Sequence, residues 1–157
     1  MSGAAEALAS LQARIGQEVH VSDWMTVTQD RVVAFADATG DHQWIHVDPD
    51  RARRESPFGG PIAHGYLTLS LQILLRGLTG AEQAVAPGVR QAVNYGLDRL
   101  RFPAPVPVGA RIRGRFTLLE AAQVAPGVLQ VKERYTVEVE GKDKPACIAE
   151  CLYRLYF

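Results

Sequence analysis

Residues 129–139, "LQVKERYTVEV", alternate with period two: Leu129, Val131, Tyr135, Val137 and Val139 point one way, and Gln130, Lys132, Arg134, Thr136 and Glu138 the other. A helix would scatter these apolar positions around its circumference, whereas a pleated strand gathers them on one buried face. Two further runs repeat the pattern. "ARIRGRFTLLE" sets Ile112, Phe116 and Leu118 against Arg111, Arg113, Arg115 and Thr117, and "ACIAECLYRLYF" puts Cys147, Ala149, Cys151, Tyr153 and Leu155 on one side. Turn-rich punctuation after "AVAPG" separates four strand-like runs in all. The second half of the chain is therefore an antiparallel sheet with one face against a core.

The first half supplies what covers that face. Leu8, Leu11 and Ile15 recur at helical spacing, marking an N-terminal helical extension over residues 1–16. "EVHVSDWMTVT" reads as a strand. "TQDRVVAFADATG" reads as a helix, with Thr28 as half a capping box and Gly40 at the C-cap. Asp48 and Pro49 open a short helix over "DPDRARRE". "HGYLTLSLQILLRGLTG" fits either period, and its length and leucine bias predict a helix, apolar almost all round and so buried. With 157 residues the chain forms one domain, 1–157, of α+β class: a curved antiparallel sheet wrapped around a long central helix. Its long strands leave edges that a second copy would cover, so a homodimer is expected.

Seventeen basic and seventeen acidic residues cancel, which argues against nucleic acid and anionic membrane as partners and favours a small ligand. No run of 18 apolar residues occurs, and the start lacks the basic and apolar regions of a signal peptide, so a cytoplasmic protein is expected. Cys147 and Cys151 lie four residues apart on a strand, roughly 13 Å, too far for a disulfide. They read as core residues, and no metal site is expected from the spacing of His and Cys.

"TGDHQWIH", residues 39–46, carries the chemistry. Asp41 and His46 would diverge by about 140° on a helix and lie roughly 16 Å apart on a strand. Only a curled loop leaving the Gly40 cap brings an acid and an imidazole to one point, where they can share proton transfer. "GGPIAHGY", residues 59–66, follows, and a helix starting near Gly65 would present free N–H groups to an acceptor oxygen. His64 reads as a packing or supporting residue there. Trp44 either lines a pocket or shields the loop. Arg51, Arg53, Arg54, Arg99 and Arg101 read as surface charges.

In order and spacing, "FADATGDHQWIH", "FGGPIAHGYLTLSL" and "NYGLDRLRFPAPVPVG" resemble the MaoC-like (R)-specific enoyl-CoA hydratases, in particular the subgroup that includes nodulation protein N-like dehydratases. The resemblance runs from about residue 20 to the end. It implies a hot-dog fold, usually homodimeric, and reversible addition of water to a trans-2-enoyl-CoA giving a (3R)-3-hydroxyacyl-CoA. It matches Asp41 and His46 to the pair that activates the water, and Gly65 to the backbone N–H that holds the thioester carbonyl. It implies no cofactor, the CoA thioester being the substrate. This chain has Gln43 and Trp44 where the family loop has asparagine and proline. The alternatives are an acyl-CoA thioesterase of the same fold and a non-catalytic acyl-CoA-binding subunit.

Overall fold

The computed structural model describes residues 3–78 and 85–157. Its helices are α1 (Gly3–Gln12), α2 (Gln29–Thr39), α3 (Trp44–Val47), α4 (Pro49–Glu55), α5 (Gly65–Ser70) and α6 (Gln72–Leu75). Its strands are β1 (Glu18–Val21), β2 (Met25–Thr26), β3 (Gln91–Arg101), β4 (Arg111–Ala125), β5 (Val128–Val139) and β6 (Cys147–Tyr156). All pair antiparallel in one sheet of order β1-β4-β5-β6-β3, with β2 also on β4. Residues 1–2 of the expected N-terminal helical extension 1–16, and 79–80 of the expected central helix, lie outside the described residues; the N-terminal helix ends at Gln12, followed by turn, with Ile15 exposed.

The strand faces are those the alternation predicts. Ile112, Phe116 and Leu118 of β4, the apolar set of β5, and Cys147, Ala149, Cys151, Tyr153 and Leu155 of β6 are all buried. They divide between two hydrophobic clusters. Leu67, Leu71 and Leu75 meet Phe116, Tyr135 and Val137, while Ala7 and Leu11 of α1 meet Leu118, Leu129 and Leu155. Both cysteines are free thiols, which burial pushes up to about 12. β4 and β5 form a long hairpin, from Ile112 opposite Val139 to Ala125 opposite Val128 at the Pro126–Gly127 turn, with register shifts between Leu118 and Glu120 and between Gln123 and Ala125.

Four readings need correction. The expected first strand is two, β1 and β2, because Ser22 leaves the ladder: its N–H donates to the Gly114 carbonyl, and its hydroxyl accepts from the Gly114 N–H. The central helix expected over residues 64–80 is, among the described residues, two short pieces meeting at Leu71 and ending at Leu75. Hydrogen bonds from Leu71 N to Leu67 O (3.0 Å) and from Leu75 N to Leu71 O (2.9 Å) carry the axis across the joint. This helix is not buried all round, since Tyr66, Ile73 and Leu74 face outward. The stretch after Asp41 is not loop throughout, because Trp44–Val47 closes a helical turn.

β3 differs from its neighbours. Among the described residues it pairs with β6 alone, and ten of its eleven residues are exposed, including Val93, Tyr95 and Leu97. Among the described residues no helix is long and apolar enough to cross a membrane.

Candidate active site

Two helix ends and one short turn build the site. Thr28 caps α2, its hydroxyl accepting from Arg31 N at 3.3 Å. Gly40 ends α2 in the left-handed conformation, φ 80°, which glycine adopts without the Cβ penalty other residues carry. That reversal exposes Asp41 and Gln43 and leads into α3, which swings His46 back beneath them. The spacing problem posed by Asp41 and His46 is thus solved by a left-handed glycine followed by one helical turn. Asp48 then caps α4, accepting from Arg51 N at 2.9 Å, with Pro49 at its first position.

His46 is buried and doubly held. Its Nδ1–H donates to the Ile62 carbonyl at 2.6 Å, and its own carbonyl accepts from Gln29 Nε2 at 2.8 Å. Ile62 is fixed in turn: its N–H reaches Ile45 O at 3.0 Å, while the next N–H, of Ala63, reaches Val106 O at 2.8 Å. The "PAPVPVG" connection therefore anchors the acceptor that orients His46. With Nδ1 protonated, Nε2 carries the lone pair. Burial pushes the His46 pKa down, helped by the neighbouring His64 and opposed by the Ile62 bond and the Asp41 carboxylate.

His64, 3% exposed, stacks on His46 with ring centroids 3.8 Å apart and planes inclined by 27°. Phe35 of α2 closes its other side at 5.0 Å. His64 Nε2–H donates to the Asp41 carbonyl at 2.9 Å and lies 3.9 Å from Asp41 Oδ2. Its Nδ1 is buried with no hydrogen-bond partner among the described residues. Asp41, His46 and His64 each bring one ligand atom within 4.8 Å of the other two. Carboxylate and imidazole are donors a divalent ion accepts. They are equally the donors that hold a water.

Gly65 is the first residue of α5, directly after His64, so its N–H is one of the helix's unpaired donors. A Cβ here would lie 2.9 Å from the Phe102 ring, which occupies the space a side chain would need. Gln43 sits at the N-cap of α3, and its N–H reaches Asp41 Oδ1 at 3.4 Å. Trp44 is half-buried beneath the Arg51 guanidinium, 4.5 Å from the ring centre, which favours the shielding reading. Arg51 and Arg53 are further paired with Glu55 and Asp50.

Reading the sequence missed Gln29, Ile62 and Phe102, which act through a side-chain amide, a backbone carbonyl and a ring edge, groups with no motif of their own. A family model described as the MaoC like domain matches residues 10–141. The chain belongs to that family.

Among MaoC-like relatives, 3-hydroxyacyl-thioester dehydratase Z of Mycobacterium tuberculosis is 50% identical over 95% of this chain and 95% of its own length. Nodulation protein N of Rhizobium leguminosarum bv. viciae is 46% identical over 96% of this chain and 91% of its own. An R-hydratase from Pseudomonas aeruginosa superimposes with a TM-score of 0.67 at 23% identity, covering 88% of this chain and 79% of that one. The fold is the MaoC-like hot-dog fold that the sequence resemblance implies, a curved antiparallel sheet with helices.

Proposed function

We propose that this MaoC-like chain is an (R)-specific enoyl-CoA hydratase, or 3-hydroxyacyl-thioester dehydratase in reverse, a hydro-lyase with Asp41, His46 and Gly65 as its working groups. The observation that carries this reading is the fixed tautomer of His46: donation to Ile62 leaves a basic Nε2 in the cluster that also holds the Asp41 carboxylate. Identity of 50% to a named 3-hydroxyacyl-thioester dehydratase supports it.

Asp41 and His46 hold one water. As its oxygen bonds to C3, a proton passes to the pair, and the C2–C3 π electrons move toward the thioester oxygen. The Gly65 N–H stabilises the charge developing on that oxygen, typically worth a few kcal/mol. The thioester then re-forms as C2 takes a proton from the pair. The sequence is a conjugate addition with its proton transfers and no net change of oxidation state, so it calls for no redox cofactor. His64 supports both partners by stacking on one and bonding the backbone of the other. A second copy pairing along exposed β3 would continue the sheet into a homodimer. The two free thiols suit the reducing cytoplasm.

The test is loss of enoyl-thioester absorbance with crotonyl-CoA, beside Asp41→Asn and His46→Ala, with chiral analysis of the product. Saturable loss giving (3R)-hydroxybutyryl-CoA, collapsing in both variants, is expected. Release of free CoA thiol without a hydroxyacyl product would instead make the chain a thioesterase. Binding without turnover would make it an acyl-CoA-binding subunit.

A further inference from the structure

A cavity of about 240 Å³ lies between α6 and the sheet, lined by Gln72, Ile73, Arg76, Val93, Glu133 and Tyr153 among others. We propose that it receives the far end of the acyl chain and selects chains carrying a neutral oxygen, hydroxyl or ketone, through Arg76 and Tyr153. The inference rests on the acyl-thioester reading above and adds a chemical class of substrate to it.

Connection to the site follows from how the elements run. Phe102, just past the end of β3, packs on Gly65 at the start of α5, and its ring meets Tyr66 at 5.7 Å. Ala92, Val93 and Asn94, near the start of β3, face Gln72, Ile73 and Arg76 across the cavity. Helix and strand thus run in opposite directions, and the acyl chain of this proposal would follow them from Gly65 to the cavity. Eight residues of helix separate Gly65 from Ile73, a rise of about 12 Å. A chain whose carbonyl sits at Gly65 therefore brings its distal carbons, not its reacting ones, to Arg76.

The walls are apolar, at buried Phe116 and at Ile73 and Val93, which are partly open to solvent on the side where a hydrocarbon would enter. The floor is not. Glu133 falls on the buried face of β5, and Arg76 meets it with two hydrogen bonds of 3.0 Å, Nε to Oε2 and Nη2 to Oε1. Guanidinium has five N–H groups, so three remain beyond these two. Tyr153, nine-tenths buried, lines the same space, and its hydroxyl makes no hydrogen bond of normal geometry among the described residues, the carboxylate beside it, Glu133, being already committed to Arg76. Burial holds this phenol well above its ordinary pKa, so it stays a neutral donor.

The Tyr153 hydroxyl and the spare Arg76 N–H groups, set among Ile73, Val93 and Phe116, make no hydrogen bond of normal geometry to the other polar lining groups, Gln72 and Asn94. An unfunctionalised chain would bury them unsatisfied, whereas a chain with an oxygen at that depth would satisfy them. Glu133 already neutralises Arg76, so a carboxylate on the chain would arrive as an uncompensated charge. That restricts the oxygen to a neutral one.

The test is calorimetric binding of saturated, unreactive thioesters: decanoyl-CoA, its analogues hydroxylated at carbons 6 to 10, and the ω-carboxylate. At least one hydroxylated analogue should bind about tenfold more tightly than decanoyl-CoA, and the carboxylate no better than it. Tyr153→Phe, which removes only the hydroxyl, should bring the preference below about threefold, as should the paired replacement Arg76→Met with Glu133→Leu, which leaves no unpaired charge to unfold the chain. Equal binding across the wild-type series overturns the inference, as does a preference that survives in both variants. Crotonyl-CoA hydration in the same preparation separates the two readings: if it persists while the series is flat, only the inference falls. If crotonyl-CoA is not hydrated and no thioester binds, the function falls with it.

Discussion

The imidazoles of His46 and His64 are stacked at 3.8 Å, one bonded to the Ile62 carbonyl and the other to that of Asp41. Each ring thus has one nitrogen committed to the backbone, and together they join the α3 turn, the start of α5 and the Asp41 loop into one unit. His64 is a positioning residue in this arrangement.

Replacing it tests that role. His64→Phe keeps a ring against His46 and Phe35 but loses the bond to Asp41, and His64→Ala loses both. We expect kcat to fall roughly tenfold in the first and on the order of a hundredfold in the second, since small displacements of reacting groups carry costs of that size. KM should change less than kcat. Equal activity of both variants with the wild type would remove His64 from the site's working parts.

The pH profile follows from His46. Its pKa is pushed down, chiefly by burial, so the neutral base persists to lower pH than a free histidine, whose ordinary value is about 6.5. Activity should therefore be retained through pH 6.5 and fall only as the pH drops through the lowered value, in kcat/KM for crotonyl-CoA. An acid limb centred above 6.5 would contradict the assignment of His46 as the base. The sign for stability is the same: below about 6.5 the unfolded chain takes up a proton that folded His46 resists, so stability declines toward acid.

Gly65→Ala puts a Cβ 2.9 Å from the Phe102 ring. Either the ring or the start of α5 must move, and the N–H proposed to meet the thioester oxygen moves with α5. Loss of an oxyanion donor typically costs on the order of a hundredfold in kcat. Adding Phe102→Leu opens space for the methyl and should restore part of the rate. A double variant no better than Gly65→Ala alone would show that the steric account is wrong.

Asp41, His46 and His64 stand close enough to hold a divalent ion. If the pair works through water alone, exhaustive treatment with a chelator leaves the rate unchanged, and added zinc lowers it by taking the lone pairs the water needs. Loss of rate on chelation, restored by one metal, would make the trio a catalytic metal centre instead.

Much of the sheet was legible because β5 and β6 are covered on one face, where burial imposes the period-two pattern. The same pattern held an unused signal: counting by two from Val131 to Tyr135 lands on Glu133, a carboxylate on the buried face, and such a charge calls for a partner. Its partner Arg76 lies 57 residues earlier and carries no local mark. Val93, Tyr95 and Leu97 also alternate, yet they are exposed, since a period reports the pleat and not what lies against it. The helix from Gly65 was legible as helix from its leucines, but not its joint at Leu71, which depends on tertiary packing. Asp41 and His46 were legible as a pair, while the α3 turn that unites them is too short for periodicity to register.

The β4–β5 hairpin brings together residues as near in sequence as Ala125 and Val128 and extends, through two register shifts, to Ile112 and Val139. By contrast β1 must find β4 across about a hundred residues, Glu18 opposite Thr117, and β3 must find β6 across more than fifty, Gln91 opposite Tyr156. Loop closure makes distant pairings slower to form. Amide protection in refolding should therefore appear first in β4 and β5, and the catalytic loop, whose His46 waits for the Ile62 segment to dock on Val106, acquires its geometry late. The chain gains its scaffold before it gains its chemistry.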